Sequence, residues 1–275
     1  MTINCNGTLI DLTQPKVMGI LNFTPDSFYD GGKYQSDKEI LLQTEKMLTE
    51  GADFIDVGVY SSRPNASIVT ERDEVQNMQT VLQLLTKEFP EAIYSIDTFR
   101  SEVARIALEN GGALINDISA GSLDQKMMDV VAQYKVPYIM MHTRGTPQTM
   151  TRLTEYDNLV ADILFYFSEK IAQARSKGIC DLIVDVGFGF AKTTEQNYEL
   201  LQKLDVFQSL GLPQLVGVSR KRMIYTTLNT TADKALNGTT ALNAIALQKG
   251  ANILRVHDVL EAKQTIQLIE KLNQS

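Results

Sequence analysis

Short apolar runs rich in Val, Ile and Leu recur along the whole chain, and most are followed by a stretch with the periodicity of an amphipathic helix. Strands that are apolar on both faces and alternate with helices are typical of a parallel sheet covered by helices. This alternation restricts the chain to the α/β class. The predicted strands span residues 16–22, 54–59, 93–97, 114–119, 136–142, 182–187, 214–219 and 253–258.

The segments between these runs predict helices, and several are followed directly by glycine, as in Glu50-Gly51 and Lys249-Gly250. Glycine fits the left-handed position just past a helix end. Because the units follow one another without a break in composition, they predict a single (β/α)₈ barrel over residues 1–275. An open, doubly wound sheet is the alternative. The predicted helices span residues 37–50, 71–88, 101–110, 124–133, 156–177, 195–209, 234–249 and 261–272.

The residues before the first strand predict a separate small element. Residues 2–12 place Asn6-Gly7 between two short runs, and this dipeptide is typical of a tight β-hairpin turn. We expect this N-terminal hairpin to close the bottom of the barrel.

Composition excludes several classes of protein. A formal net charge of −7 argues against a nucleic-acid-binding face, although local basic clusters can still bind small anions. No apolar run approaches the length of a membrane span, and the N-terminus lacks the pattern of a signal peptide. Cys5 and Cys180 stand in no metal-binding or redox spacing. We therefore expect a soluble, cytoplasmic protein with reduced thiols.

Polar side chains stand at the end of every predicted strand. In a (β/α)₈ barrel these ends meet at one face, where functional residues gather. A single Asn or Asp there usually caps a helix or a turn, but capping does not explain a complete series on one side. The residues are Asn22, Asp56, Asp97, Asn116, Asp117, His142, Asp185, Ser219, Arg220, Lys221, Arg255, His257 and Asp258.

One subset of polar residues is rich in hydrogen-bond donors. Asn22, Arg63, Arg255 and His257 are suited to a phosphate or diphosphate. Arg255 and His257 alternate along one strand, so both side chains point to the same side.

A second subset combines carboxylates, an amide and an ammonium: Asp97, Asn116, Asp185 and Lys221. These groups can pair with the alternating donors and acceptors of a flat nitrogen heterocycle. Met140 and Phe190 offer apolar faces for its rings, although Met140 also fits an ordinary core position.

Residues 187–190 read GFGF but lack the GxGxxG spacing, which disfavours a phosphate-binding loop there.

Longer motifs add a resemblance to a known family. From Val17 to about Val259 the chain is similar to the dihydropteroate synthases, which are pterin-binding barrels. The motifs are MGILNFTPDSFYDGG, FIDVGVYSSRP, SIDTFR, INDIS, MMHTRGTPQTM, DVGFGFAK, VGVSRKRMI and ILRVHDV.

This resemblance implies a (β/α)₈ homodimer that acts as a transferase in folate biosynthesis. It implies condensation of 6-hydroxymethyl-7,8-dihydropterin diphosphate with 4-aminobenzoate, release of diphosphate, use of Mg²⁺ and inhibition by sulfonamides. Two other readings are a pterin-dependent methyltransferase barrel and a non-catalytic pterin-binding paralogue. The retained diphosphate residues favour the synthase, while sulfonamide sensitivity stays open.

The resemblance also implies roles for individual residues. The pterin positions are Asp97, Asn116, Met140, Asp185, Phe190 and Lys221. The diphosphate positions are Asn22, Arg63, Arg255 and His257, with Asn22 also contacting Mg²⁺. The aminobenzoate positions are Thr24, Phe28, Ser62, Arg63, Pro64, Phe190 and Arg222. The implied catalytic set is Asn22, Asp97, Asp185, Lys221, Arg255 and His257.

Three positions depart from the family pattern. Tyr60 stands where an acidic residue is common, and Val186 where proline is common. Arg222 replaces a serine that helps to hold the aminobenzoate carboxylate, so it either binds that carboxylate or points to solvent. Residues 24–28 are expected to form a lid over the site, with backbone freedom at Gly31-Gly32.

Overall fold

The computed structural model describes residues 1–22, 33–59 and 69–274, and for residues 33–36 it describes the backbone alone. The described chain opens with two short antiparallel strands, β1 (Thr2–Cys5) and β2 (Thr8–Asp11). Asn6 and Gly7 between them both have positive φ, at 51° and 88°. The predicted hairpin is confirmed, since these left-handed conformations are those that such a tight turn requires.

Parallel strands then close into a barrel in the order β10-β3-β4-β5-β6-β7-β8-β9. The pairing of the last strand with the first barrel strand confirms the closed barrel and excludes the open sheet. The strands are β3 (Lys16–Asn22), β4 (Phe54–Gly58), β5 (Tyr94–Asp97), β6 (Gly112–Asp117), β7 (Tyr138–Met141), β8 (Leu182–Asp185), β9 (Gln214–Val216) and β10 (Ile253–Val256).

Helices follow the strands and cover the outside of the barrel. Gly51, Gly111, Gly178 and Gly250 have φ between 85° and 102°, as predicted for residues past helix ends. None of the described helices is both long and apolar enough to span a membrane. The helices are α1 (Lys33–Thr49), α2 (Glu71–Glu88), α3 (Ser101–Glu109), α4 (Met127–Tyr134), α5 (Leu159–Ser176), α6 (Thr194–Gln202), α7 (Arg222–Thr227), α8 (Leu236–Gln248) and α9 (Val259–Asn273).

Two α-helical regions differ from the sequence-based prediction by more than a small shift of their ends. The helix predicted at residues 195–209 ends at Gln202, and a 3₁₀ helix continues from Leu204 to Leu210. The short helix α7 was not among the predicted helices. Its six residues begin without a side-chain cap, so local sequence gives little signal for it.

The side chains of each strand alternate between the barrel interior and the helices. Near the bottom of the barrel, the inward-facing side chains form one apolar cluster with the hairpin, in which Leu12 is fully buried and Ile3 and Cys5 nearly so. The hairpin therefore closes the bottom, as predicted. The strand residues of this cluster are Met18, Phe54, Leu114, Ile139, Ile183, Leu215 and Ile253, together with Ala113, where the register between β5 and β6 shifts.

Candidate active site

A polar layer lies above this apolar layer in the barrel interior. Alternation along a strand places Asp56 two residues above Phe54, Asp185 above Ile183 and Arg255 above Ile253, all on the inner face. The same rule places Asn116 above Leu114. The strand-end residues predicted from the sequence thus converge because strand periodicity directs them to one space.

Arg255 connects two carboxylates from neighbouring strands. Its Nε donates to Oδ2 of Asp56 at 2.6 Å, and its Nη2 donates to Oδ2 of Asp97 at 2.6 Å. The Asn116 amide nitrogen also donates to the Asp56 carboxylate, at 3.2 Å. Asp56 is fully buried, so these hydrogen-bond donors must offset the free-energy cost of burying its carboxylate.

Burial and charge act in opposite directions on this group. Burial alone would lower the pKa of Arg255, but Asp56 and Asp97 outweigh it and raise that pKa above its ordinary value. Burial raises the pKa of Asp97 to about 7, with Arg255 opposing and Asp56 adding to the rise. One guanidinium is shared by two carboxylates, so it does not fully offset the burial of Asp97.

Asp185 and Lys221 form the neighbouring part of the site. Asp185 accepts a hydrogen bond from the Gly187 backbone at 2.8 Å. Burial raises the pKa of Asp185, against the attraction of Lys221. Burial lowers the pKa of Lys221 to about 8, against the attraction of Asp185. The Lys221 ammonium donates to the Phe188 carbonyl and lies 4.9 Å from the ring centroid of Phe190.

Asn22 ends β3 at the same face and is exposed. A Cβ atom at residue 58 would lie 2.7 Å from Oδ1 of Asn22 and 3.5 Å from Cβ of Asp97. Gly58 therefore makes room for the Asn22 amide beside Asp97.

His257 stands two residues beyond Arg255 and is fixed by Ser219. The Ser219 hydroxyl accepts from the His257 backbone N–H at 3.2 Å and lies 3.0 Å from Nδ1 of the ring. If the hydroxyl hydrogen is directed to Nδ1, the neutral ring carries its proton on Nε2. Arg220 next to Ser219 pairs with Asp258, its Nε donating at 3.0 Å and its Nη2 at 2.5 Å.

The GFGF segment is not built as a phosphate-binding loop. We call residues 187–190 the GFGF loop. Three of its four backbone N–H groups are used within the protein: Gly187 donates to Asp185, Gly189 to the Asn197 side chain, and Phe190 to the Gly187 carbonyl. N–H groups bonded in this way are not directed at an anion.

Other predicted residues take varied positions. Met140 is fully buried in the core cluster between barrel and helices, which differs from the predicted pterin contact. Met141 follows the inner-layer Ile139 by two residues and pairs in register with Asp185, so its side chain faces the interior. Arg222 begins α7 and is exposed. Six further residues with predicted roles lie outside the described part of the chain: Thr24, Phe28, Tyr60, Ser62, Arg63 and Pro64.

Asp117 shows the ordinary structural role of a strand-end carboxylate. It accepts from Ser119, Gly121 and the Tyr138 hydroxyl, at 2.7 Å in each case. These bonds fix the turn after β6, and its side chain faces the helices rather than the barrel interior.

Sequence reasoning gave no site role to two residues that the structure brings to this region. Asp56 was recognised as a strand-end residue, and its two-residue spacing from the apolar Phe54 was the signal for an inward position. Lys192 is 8% exposed and bonds to His142 and the GFGF loop. A lysine after a glycine-rich segment carries no comparable signal, because lysine there is usually on the surface.

Comparison with known proteins agrees with this geometry. The family described as pterin binding enzyme matches residues 18–257. The dihydropteroate synthase of Haemophilus influenzae is 42% identical over 261 residues, covering 94% of each chain. That of Escherichia coli K12 is 40% identical over 272 residues, covering 98% of this chain and 96% of the other.

Solved structures give the same result. Yersinia pestis dihydropteroate synthase with a sulfonamide drug complex superposes with a TM-score of 0.93 at 36% identity, covering 100% of both chains. Xanthomonas albilineans dihydropteroate synthase with 4-aminobenzoic acid gives a TM-score of 0.91 at 34% identity, covering 100% of this chain and 98% of the other.

The chain belongs to the family of pterin-binding enzymes. Within that family its relatives over nearly the whole length are dihydropteroate synthases, which are transferases, and the sequence-based assignment to them is confirmed.

Proposed function

We propose that the polar end of the barrel condenses 6-hydroxymethyl-7,8-dihydropterin diphosphate with 4-aminobenzoate to form 7,8-dihydropteroate and diphosphate. The observation that carries this proposal is the group in which Arg255 joins Asp56 and Asp97 beside Asn116. It places carboxylates, an amide and a guanidinium in one buried space, and this combination suits a flat heterocycle that carries a diphosphate.

The pterin occupies the inner part of the site. The carboxylates of Asp97 and Asp185 accept from ring N–H groups, and the Asn116 amide both donates and accepts. Lys221 donates to an acceptor on the ring, and Phe190 beside it covers one ring face. Met141, which faces the interior next to Asp185, replaces Met140 as the methionine of this pocket.

The diphosphate lies nearer the rim of the barrel. Arg255 uses two of its five N–H groups for Asp56 and Asp97, and the remaining N–H groups are proposed to donate to the diphosphate. The His257 ring donates from Nε2 while Ser219 holds Nδ1. Asn22 contributes its exposed amide, and Arg63 is the proposed fourth contact.

The chemistry follows from these groups. The C–O bond breaks with its electron pair moving to the diphosphate, where Arg255 and His257 stabilise the departing charge. Positive charge that develops on the pterin is stabilised by Asp97 and Asp185. The amine nitrogen of 4-aminobenzoate then forms the new C–N bond and loses one proton. Because that nitrogen is already a nucleophile, no strong base is required.

The donor set is consistent with Mg²⁺ held mainly by the substrate. The described residues contain no cluster of three or more His, Cys, Asp or Glu side chains that could hold a metal. Mg²⁺ commonly uses few protein oxygens together with phosphate oxygens and water. Oδ1 of Asn22 supplies such an oxygen at the mouth. Bound there, Mg²⁺ would neutralise part of the diphosphate charge.

The aminobenzoate is placed at the outer rim. The exposed Arg222, adjacent to Lys221, offers a guanidinium to its carboxylate. The further proposed contacts are Thr24, Phe28, Ser62, Arg63, Pro64 and Phe190. A homodimer, a cytoplasmic location and inhibition by sulfonamides complete the proposal.

An assay of diphosphate release tests this function. We expect release that requires both substrates for sustained turnover and decreases as a sulfonamide is added. Asp185→Asn should raise the KM for the pterin diphosphate about a hundredfold, because a charged hydrogen-bond acceptor is lost. The exposed Asp205→Asn is the matched control. Absence of diphosphate release from the folded wild-type protein would contradict the proposal.

A further inference from the structure

Lys192 is a buried lysine that the proposed chemistry does not use. It follows the GFGF loop and is 8% exposed. Its ammonium donates to the carbonyls of Gly187 and Phe190, each at 3.0 Å, and lies 3.0 Å from Nδ1 of His142. Burying a lysine without a carboxylate at hydrogen-bond distance is costly, so its position needs a reason.

The partners of Lys192 connect two strand ends of the barrel. Gly187 and Phe190 belong to the loop after β8, whereas His142 follows β7. A Cβ atom at Gly187 would lie 2.1 Å from the His142 carbonyl oxygen, so the two backbones are in direct contact. Lys192 therefore closes the GFGF loop on itself and fixes it against the end of β7.

The GFGF loop carries much of the pterin site. Its first N–H group holds the Asp185 carboxylate, the Phe188 carbonyl accepts from Lys221, and Phe190 lies beside the Lys221 ammonium. If the Gly187 and Phe190 carbonyls were displaced, the Asp185 carboxylate, the Lys221 ammonium and the Phe190 ring would therefore move together.

We propose that Lys192 is a positioning residue for the pterin substrate, which it serves by holding the GFGF loop in the conformation that presents Asp185, Phe190 and Lys221. It acts through the loop and does not touch the substrate. This inference rests on the proposed function, since it concerns the same site.

The hydrogen bonds of Lys192 to the GFGF loop and to His142 can form whether the lysine is charged or neutral. Burial lowers the pKa of Lys192 to about 7, with Asp185 opposing and Lys221 and Arg144 adding to the decrease. Burial and Lys192 lower the pKa of His142 to about 2, so its ring stays neutral. A charged Lys192 donates three hydrogen bonds, one to Nδ1. A neutral Lys192 keeps two donors for the carbonyls and accepts from Nδ1–H after the ring changes tautomer.

Steady-state kinetics of Lys192→Met test the proposal. We expect the KM for the pterin diphosphate to rise roughly tenfold and kcat to change less than about threefold. The KM for 4-aminobenzoate should rise less than that for the pterin, because Phe190 is the one residue of the GFGF loop among its predicted contacts. A purely structural role would lower the amount of active protein, and hence kcat, without changing either KM. Lys46→Met is the matched control, because Lys46 is 64% exposed on α1.

Lys192→Gln separates the hydrogen bonds from the charge and serves if the Met variant does not fold. Gln keeps two N–H donors for the loop carbonyls, so its pterin KM should lie between those of wild type and Lys192→Met, at roughly threefold above wild type. Turnover by the wild type and Lys46→Met reports on the proposed function separately. A folded Lys192→Met with a pterin KM within twofold of wild type overturns the inference, as does an equal rise in both KM values. If only the Gln variant folds, an unchanged pterin KM overturns it.

Discussion

At the scale of single residues, the charge balance of the barrel end depends on Arg255. Its guanidinium is the cation that Asp56 and Asp97 share, and Asp56 is fully buried. Removing one partner of a buried ion pair leaves an uncompensated charge, which is far more destabilising than losing an exposed pair.

Arg255→Met should therefore lower the free energy of unfolding by about 3–5 kcal/mol and weaken pterin binding at the same time. Urea denaturation with a pterin-binding titration measures both effects. The control is Arg105→Met, whose exposed pairs with Glu102 and Glu109 should contribute no more than about 1 kcal/mol. Equal urea midpoints for the Arg255 variant and wild type would exclude this role.

Lys192 gives the stability a pH dependence. Its pKa is about 7 in the folded protein against an ordinary value of 10.5. Between these values the unfolded chain binds a proton that the folded protein does not, so the free energy of unfolding rises with pH, by at most about 1.4 kcal/mol per pH unit. Lys221 contributes in the same direction from about 8 upward.

We expect Lys192→Met to flatten this rise between about pH 7 and pH 9, where the wild type should still gain stability. Urea unfolding of both proteins across that range measures the difference, and the contribution of Lys221 remains in both. Parallel curves for the two proteins would show that the lysine has an ordinary pKa in the folded state.

The sequence predicts those features of the site that follow from the direction of the strands, because parallel strands bring their carboxyl ends to one face of the barrel. Asn116, Asp185 and Arg255 could be placed at one face because each is the last or next-to-last residue of a strand, and alternation fixes the side on which each lies. Their partners could not be predicted. The pairing of Arg255 with Asp56 and Asp97 depends on which strands become neighbours when the barrel closes. The methionine of the pterin pocket was predicted one residue too early, at Met140 instead of Met141. In a strand, a shift of one residue moves a side chain from the barrel interior to the helix side.

At the scale of elements, the N-terminal hairpin is part of the core. Ile3, Cys5 and Leu12 pack into the apolar cluster of the barrel bottom. The Asn252 side chain donates to the Leu12 carbonyl at 2.9 Å, which ties the hairpin to the segment before β10.

Leu12→Ala should cost about 2–5 kcal/mol of stability, because it leaves a cavity under the barrel. Leu9→Ala on the same hairpin is the control, since Leu9 is 70% exposed and should change stability by no more than about 0.5 kcal/mol. Thermal and urea unfolding compare the two variants. If they lose equal stability, the hairpin does not close the barrel as described.

Element boundaries were predicted where local signals are strong. Helix α2 was predicted with its observed bounds, and Thr70 caps it by accepting from the Asp73 backbone. Helix α7 was missed because six residues without a cap are held by tertiary contacts, including a hydrogen bond from the Tyr198 hydroxyl to the Met223 carbonyl. Local sequence does not contain such contacts.

At the scale of the whole molecule, closure joins the two ends of the described barrel. β10 pairs with β3, and α9 covers that junction. A Cβ atom at Gly19 in β3 would lie 3.2 Å from Val259 of α9, so the helix packs directly on the strand backbone. The last helix is therefore needed to cover the first barrel strand.

A chain that ends at Asp258 should not unfold cooperatively, because the truncation exposes β3 and removes the buried side chains Val259, Ala262 and Ile266 of α9. Near-UV circular dichroism and urea denaturation would measure the loss. A chain that ends at Lys271 keeps those side chains and should retain a cooperative transition, since Leu272 is exposed. A sharp transition in the shorter chain would contradict this dependence on α9.

The bridge made by Arg255 also has a consequence for synthesis on the ribosome. Its carboxylate partners Asp56 and Asp97 precede it by 199 and 158 residues. During translation, Asp56 and Asp97 therefore emerge long before Arg255, the cation that compensates their charge in the folded protein. Premature termination before β10 should leave an acidic, unclosed sheet with no residual activity. Such fragments are expected to be substrates for cellular proteolysis.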